Sequence, residues 1–443
     1  MSLLITGGRV VDPTQRLDAR RDLRIRNGVV VEIGEHLAHE GEEVVDATEA
    51  IVAPGFIDMH VHLREPGQTH KETIATGAAA AVIGGFTAVA CMPNTEPALD
   101  TPELICETLR RSDAAGLARV YPIGAITRAR AGKELAPYWL MSDAGAVAFS
   151  DDGSTVADPR VLRQAALYAR DIPGVFISHC LDDALHAGAA MNEGLRSFEM
   201  GVPGSPGLAE TIIVARDALI AGETRKAFHL AHLSVGLSVE LVRFARAQGY
   251  PVTCEVTPHH LLLDESAFHD YHADAKVNPP LRTSDDAGAL RSAVRDGTID
   301  VFATDHAPHG CDEKARLLSE APVGLSGLEV AIGAYAEALP DLPLSRLVEL
   351  CSRNPARILG VAGGTLACGS VADVTIFADR PWTVDSSRFQ SLGKNTPLDG
   401  RRLPRRAIAT IVGGSLVMRD FTERASNDGV LKQTFTRSSS HAC

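Results

Sequence analysis

Two imidazoles and a guanidinium on one face of a strand are the first sign of a reactive centre in this chain. The stretch Asp58-Met59-His60-Val61-His62-Leu63-Arg64 closes an apolar run that begins at Ile51. Alternate side chains of a strand share a face, so His60, His62 and Arg64 point the same way. Imidazole nitrogens can hold a metal ion and a guanidinium fork can hold an anion. A centre that polarises a substrate while gripping its charge needs both.

Further metal-competent residues stand where other apolar runs end: Asp151-Asp152, His179, His232 and Asp305. One such histidine alone is usually a hydrogen-bonded structural residue; the joint occurrence is what points to a metal. Imidazole and carboxylate suit zinc, and the absence of a cysteine cluster argues for a catalytic rather than a closed structural site. The set His60, His62, Asp152, His179, His232 and Asp305 exceeds the needs of one tetrahedral ion. Two zinc ions about 3.5–4 Å apart, sharing a bridging carboxylate and a hydroxide, would use them all. One ion or two is open, with two preferred.

Strand alternation chooses between the adjacent aspartates. Val147, Phe149 and Asp151 share one face, while Ala148, Ser150 and Asp152 share the other. The bulky face should pack outward on helices, which leaves Asp152 inside as the bridge and Asp151 as a loop or capping residue. Asp305 can hold a metal and also accept the proton of a bound water; the alternative is an aspartate that only orients its loop. Asn94 (in Cys91-Met92-Pro93-Asn94-Thr95), Asn278 (in Val277-Asn278-Pro279-Pro280) and His309 lie just beyond run ends. Asparagine beside proline is also ordinary turn chemistry. With Arg64, the three would make a corner for a carboxylate. His259-His260 read as support for the site rather than as ligands, and Asp312–Pro322 as either a mobile loop over the pocket or an ordinary connection.

Groups this far apart in sequence need a scaffold that gathers them at one rim. From Gly55 on, apolar runs recur, each ending in polar residues and leading into a helical stretch: 56–63, 87–91, 119–126, 146–152, 175–180, 227–234, 252–262 and 300–308. Eight strand-then-helix units predict an α/β fold, the (β/α)8 TIM barrel, whose catalytic groups collect at the C-terminal ends of the strands. Residues 345–360 predict a closing helix. Short strands and turns over 1–53, with strand texture at 364–377 and 407–417, predict a small β-sandwich domain formed by both chain ends. The expected organisation is 1–53 plus 364–422 as the small β domain, 54–363 as the barrel and 423–443 as a polar, flexible tail.

Composition limits the partners. With 43 basic against 56 acidic residues the chain carries a net charge of −13, spread without long blocks, which argues against nucleic acid. The most apolar window, Gly77–Met92, is broken by Gly84-Gly85 and is shorter than the roughly 20 residues a membrane span needs. It predicts a buried helix running into a strand, and no membrane contact. Eight cysteines stand singly, as in a reducing compartment. The opening residues lack the charged start and long apolar core of a signal peptide. A cytoplasmic protein acting on a small molecule is expected.

The motifs that carry these residues resemble the amidohydrolase superfamily and, within it, the bacterial type I dihydroorotases. They are Gly55-Phe-Ile-Asp-Met-His-Val-His-Leu-Arg-Glu-Pro-Gly67, Met92-Pro-Asn-Thr95, Phe149-Ser-Asp-Asp-Gly153, Ile177-Ser-His179, Ala231-His-Leu-Ser234, Glu255-Val-Thr-Pro-His-His260, Val277-Asn-Pro-Pro280 and Ala303-Thr-Asp-His-Ala-Pro-His309. The likeness covers essentially residues 1–420. It implies His60, His62, Asp152, His179, His232 and Asp305 as metal ligands. Arg64, Asn94, Asn278 and His309 are implied as substrate-binding residues, with backbone near Pro322-Val323-Gly324. The implied reaction is the reversible cyclisation of N-carbamoyl-L-aspartate to L-dihydroorotate in pyrimidine synthesis. In it a metal hydroxide attacks the ring amide and Asp305 shuttles the proton to the leaving nitrogen. A homodimer is expected, and a complex with aspartate carbamoyltransferase is left open.

Two alternatives compete with that implication. Dihydropyrimidinases and hydantoinases bridge their metals with a carboxylated lysine at the end of the fourth strand; here no lysine occurs between Lys133 and Lys226, and Asp151-Asp152 stands in its place. An allantoinase or dihydropyrimidinase would also have no use for an anion clamp, its rings being uncharged. A non-catalytic partner of the carbamoyltransferase would lack ligands, whereas every ligand position is filled.

Overall fold

Each of the eight apolar runs becomes a strand in the computed structural model, which describes residues 2–420. The barrel strands are Phe56–Val61, Phe86–Cys91, Arg119–Gly124, Ala148–Ser150, Phe176–Ser178, Phe228–Leu230, Val252–Val256 and Val301–Phe302. They lie in chain order in one eight-stranded sheet, and every paired neighbour runs parallel. A parallel bridge between Val61 and His306 brings the first strand beside the last. The architecture is the (β/α)8 barrel that the patterning predicts.

Alternation explains why both strand faces are apolar. Phe149, Phe176 and Phe228 point outward into the layer shared with the helices, where each buried phenyl ring contributes roughly 2–3 kcal/mol. Ile57, Met59, Ala88, Ala148 and Ile177 fill the interior with the closing-helix residues Ile358 and Leu359. The fourth strand follows the expected parity, with Ala148 inside and Phe149 outside. The first strand does not alternate cleanly, because its register against the second shifts between Asp58 and Val61.

The window Gly77–Met92 forms the helix Ile74–Ile83 and then the second barrel strand. Thr73 caps that helix: its hydroxyl accepts from Thr76 N, and Thr76 answers through its own hydroxyl. The closing stretch at 345–360 is helical through Leu344–Val348, Glu349–Arg353 and Asn354–Leu359.

The two chain ends meet in paired sheets. One holds Val29–Gly34, Asp22–Arg26, Ser2–Thr6 and Glu43–Asp46; the other runs Ser415–Arg419, Arg406–Val412, Val374–Ala378, Ile51–Pro54, Arg9–Asp12, Leu17–Arg20. Val374–Ala378 pairs antiparallel with Ile51–Pro54, which joins C-terminal to N-terminal chain directly. Leu3, Ile5, Val10, Ile25, Val52, Val374 and Ile411 share the core between them. The strand expected over 364–377 is shorter than its texture: only Val374–Ala378 is extended. Residues before it turn instead, with Asp12 accepting from Thr365 Oγ1 and Leu366 N. Among the described residues no helix is long and apolar enough to cross a membrane. The tail expected at 423–443 lies outside the described residues.

Candidate active site

The barrel brings its polar strand ends to one rim. His60 lies in the first strand and His62 just beyond its end at Val61, and Asp152, His179, His232 and Asp305 follow the fourth, fifth, sixth and eighth; all six are buried. Ligand atoms of His60, Asp152 and His232 lie within 4.8 Å of one another, and so do those of His60, His62 and Asp305. Asp152 faces both groups. Its Oδ1 is 3.3 Å from His60 Nε2, 3.6 Å from His179 Nδ1 and 3.8 Å from His232 Nε2, while its Oδ2 is 3.6 Å from His62 Nε2. Asp305 Oδ1 lies 3.0 Å from His62 Nε2 and 3.5 Å from His60 Nε2. His179 Nδ1 is 2.9 Å from His232 Nε2.

Asp151 turns the other way. It accepts from the backbone of Ile126 and Thr127 at 2.9 and 3.0 Å and from the Thr127 hydroxyl, and so pins the loop after the third strand.

Other side chains aim the imidazoles. Glu255, on the seventh strand, accepts at 2.6 Å from His60 Nδ1, which leaves His60 Nε2 facing the cluster. Its other oxygen is 3.0 Å from His229 Nε2. His62 Nδ1 donates to Asn94 Oδ1 at 2.8 Å, so its Nε2 also faces inward. Asp58 accepts from the backbone of His60 and Thr304 and ties the first strand to the eighth. The backbone itself is strained here. Arg64, His232 and Asp305 adopt φ of 57°, 33° and 48°, in a region where non-glycine residues are uncommon and costly.

The donor set fits a divalent metal ion. His60 Nε2 and Asp152 Oδ1 are buried without a hydrogen-bond partner among the described residues, an unfavourable state unless a cation takes their lone pairs. Burial alone would lower the His60 pKa, yet Asp152, Glu255 and Asp305 push it well above the imidazole value. Burial likewise opposes ionisation of Asp305, yet His60, His62 and His232 hold its carboxyl well below the usual range. The potential in the cluster therefore draws in positive charge.

Beside the cluster sits the candidate anion corner. Arg64 is buried, and desolvation brings its guanidinium down to about 10. Its Nε donates to Pro308 O at 3.3 Å and one Nη lies 3.2 Å from His309 Nε2. That nitrogen is also 2.8 Å from Val323 O. Burial and the Arg64 charge lower the His309 pKa to about 3, so its ring is neutral. With the single ring proton on Nε2 and donated to Val323, no lone pair is left there for Arg64. The guanidinium edge stays available to an anion. Asn278 stands at the metal cluster, with Nδ2 3.3 Å from His179 Nε2. His260 supports it: Thr257 Oγ1 donates to His260 Nδ1, and His260 Nε2 donates at 2.9 Å to Pro279 O.

Two supports of the corner carry no sequence signal. Residues 389–396 cross the barrel mouth as a strap. Asn395 Oδ1 accepts at 3.1 Å from His309 N, its Nδ2 donates at 2.9 Å to Gly324 O, and Gly393 packs so tightly that a Cβ would stand 2.5 Å from Pro308 Cβ. The second is Lys314, whose buried ammonium donates to Pro322 O and Gly324 O at 3.1 and 2.9 Å; the segment 312–322 is anchored through it. Asn395→Ala leaves the buried His309 N–H unpaired, at about 1–3 kcal/mol, while Gly324 O keeps the Lys314 ammonium, and it frees His309 to move. The expected result is a lower midpoint of chemical denaturation together with a fall in kcat/KM of about 10–100-fold. Glu255 was detectable in principle: an acid in the apolar run Val252–Val256 needs a buried partner.

A family model described as Dihydro-orotase-like matches residues 49–237. The chain is similar to the dihydroorotase of Pelotomaculum thermopropionicum, 48% identical over 95% of this chain and 99% of that one. It is also similar to the dihydroorotase of Pelobacter propionicus, 45% identical over 95% and 100%. Among solved structures, an L-hydantoinase (dihydropyrimidinase) from Arthrobacter aurescens superposes with a TM-score of 0.82 at 24% identity, covering 94% of this chain and 95% of that one. At that identity the likeness speaks for the fold alone.

Proposed function

The chain belongs to the dihydroorotase family, and from that premise we propose that it interconverts L-dihydroorotate and N-carbamoyl-L-aspartate, with zinc as its metal. The observation that carries the reading is a buried His/Asp metal cluster beside a buried guanidinium that forms no ion pair among the described residues. A neutral ring amide would need only the first of these; a carboxylated ring needs both.

His60, His62, Asp152, His179, His232 and Asp305 would hold the metal. Two ions with Asp152 as the bridge is the reading favoured by the two carboxylate oxygens facing different imidazoles. Bound there, zinc would supply Lewis acidity, lowering the pKa of a coordinated water and polarising the ring carbonyl. The chain's own residues do the rest. Arg64, Asn94 and Asn278 bind the substrate carboxylate and fix the ring, and His309, the fourth substrate-binding residue, turns its Nε2–H from Val323 O to the carboxylate as the substrate enters. Asp305, held ionised, accepts the proton of the attacking water and delivers it to the departing ring nitrogen. In ring closure it moves the proton the opposite way.

Glu255→Gln tests the support for His60. The amide keeps a similar shape but loses the charge that orients the imidazole, so metal affinity is expected to fall about 10–100-fold. Competition with a chelating dye reads this directly. Unchanged affinity would remove Glu255 from the account.

The same reading includes a cytosolic location, which the unpaired state of all seven described cysteines supports. It also includes a homodimer and a complex with aspartate carbamoyltransferase, which light scattering with and without the transferase would test. The function itself is tested by assaying purified protein on dihydroorotate, hydantoin and allantoin. Turnover should be confined largely to dihydroorotate; preference for either neutral ring overturns the proposal.

A further inference from the structure

Arg130 is a half-buried cation that the reaction as described does not use. It ends the turn Arg128–Arg130 in the loop after the third barrel strand. Ala129 and Arg130 both take left-handed backbone, with φ of 50° and 54°, a region that non-glycine residues seldom occupy. The conformation is imposed from outside: Ala129 N donates to Asp100 Oδ2 at 2.8 Å, and Gly132 N to Thr127 Oγ1 at 2.8 Å. Thr127 is in turn held by Asp151. Both left-handed residues therefore lie between anchored points of the loop.

The guanidinium there is poorly satisfied. One Nη donates to Ser154 Oγ at 3.3 Å, and Nε is buried without a partner. No carboxylate forms an ion pair with it among the described residues. Burial lowers its pKa, and Asp152 and Asp151 only partly oppose this. A partly desolvated cation with no direct ion pair is unfavourable unless some anion completes it.

A second idle donor lies next to it. Asn94 Oδ1 is engaged by His62, but Asn94 Nδ2 makes no hydrogen bond among the described residues. Gly153, at φ +77°, separates the two: a Cβ there would stand 3.1 Å from Asn94 Nδ2 and 3.5 Å from Arg130 Nη2. The missing side chain keeps that small volume open, immediately after Asp152. An amide N–H and a guanidinium N–H flanking one space form a natural site for a carboxylate oxygen.

Resting on the dihydroorotase reading, we propose that Arg130 is a further substrate-binding residue, which with Asn94 grips the carboxylate of an acidic cyclic amide or of its ring-opened dicarboxylate. Asn94 links this cation to the anion corner of Arg64 and His309.

The test is a comparison of charged and uncharged ligands of one shape. Arg130→Met and Arg130→Lys are assayed on dihydroorotate, with orotate and its neutral carboxamide as competitive inhibitors. Arg130→Met should raise KM and the inhibition constant of orotate about 10–100-fold, with the carboxamide constant nearly unmoved and the lysine variant in between. Equal losses for orotate and the carboxamide, or an unchanged KM, overturn the proposal. Should either variant fold poorly, a crystal structure of the wild-type protein with orotate decides. A carboxylate oxygen within hydrogen-bond distance of Arg130 supports it, and a carboxylate held without Arg130 contradicts it. Wild-type turnover of dihydroorotate, measured alongside, fails only if the functional reading itself is wrong.

Discussion

Asp305→Ala should lower kcat by about 10²–10⁴-fold, the usual contribution of a positioned proton-transfer group, while the protein stays folded. Asp305 is the one cluster carboxylate that also stands beside the anion corner's strand end, in Ala303-Thr304-Asp305-His306. Its left-handed backbone and its contacts with His60 and His62 hold the carboxylate at the rim of the cluster. The imidazoles keep it ionised, so it can take a proton without first losing one. Asp305→Asn separates the two roles. The amide oxygen can still reach a metal but cannot carry a proton, so metal content should persist while turnover is lost. Steady-state kinetics with metal analysis on both variants checks this; wild-type kcat in either would remove Asp305 from proton transfer.

Arg64→Met carries the second large effect. Removing one partner of a buried charged pair costs about 2–5 kcal/mol, so kcat/KM for dihydroorotate should fall by about 30–5,000-fold, mostly through KM. Metal content should not change, because Arg64 touches Pro308 and His309 rather than the ligand imidazoles. Stability should hold or rise. The protein folds with this cation desolvated and without an ion pair among the described residues, which is destabilising until an anion arrives, and a methionine of similar length removes that penalty. A lower Tm with unchanged KM would mean that Arg64 is structural.

Much of this was legible in the sequence because strands impose a simple rule. Period-two alternation separates Ala148 from Phe149, and recurrent apolar runs reveal eight strands without any knowledge of contacts. The same rule also has a local failure, since the first strand's register shifts between Asp58 and Val61. The rest depends on contacts between segments far apart in the chain. Asn395 meets His309 across 86 positions, and Glu255 meets His60 across 195. Neither pair leaves a periodic trace. Lys394-Asn395-Thr396-Pro397 reads as plain turn chemistry, and Arg130 as one more exposed loop cation, until the fold shows what each faces. The strand texture at 364–373 misled for the opposite reason: apolar residues there pack as a turn held by Asp12.

The central claim is that a metal held by this His/Asp cluster is required to open an acidic ring. The most direct measurement is dihydroorotate hydrolysis by the purified protein before chelation, after chelation and after adding zinc back, with metal counted per chain at each stage. Activity should disappear with the metal and return as occupancy approaches one to two ions per chain, the range expected for these ligands. Full activity in protein stripped of metal would contradict the account.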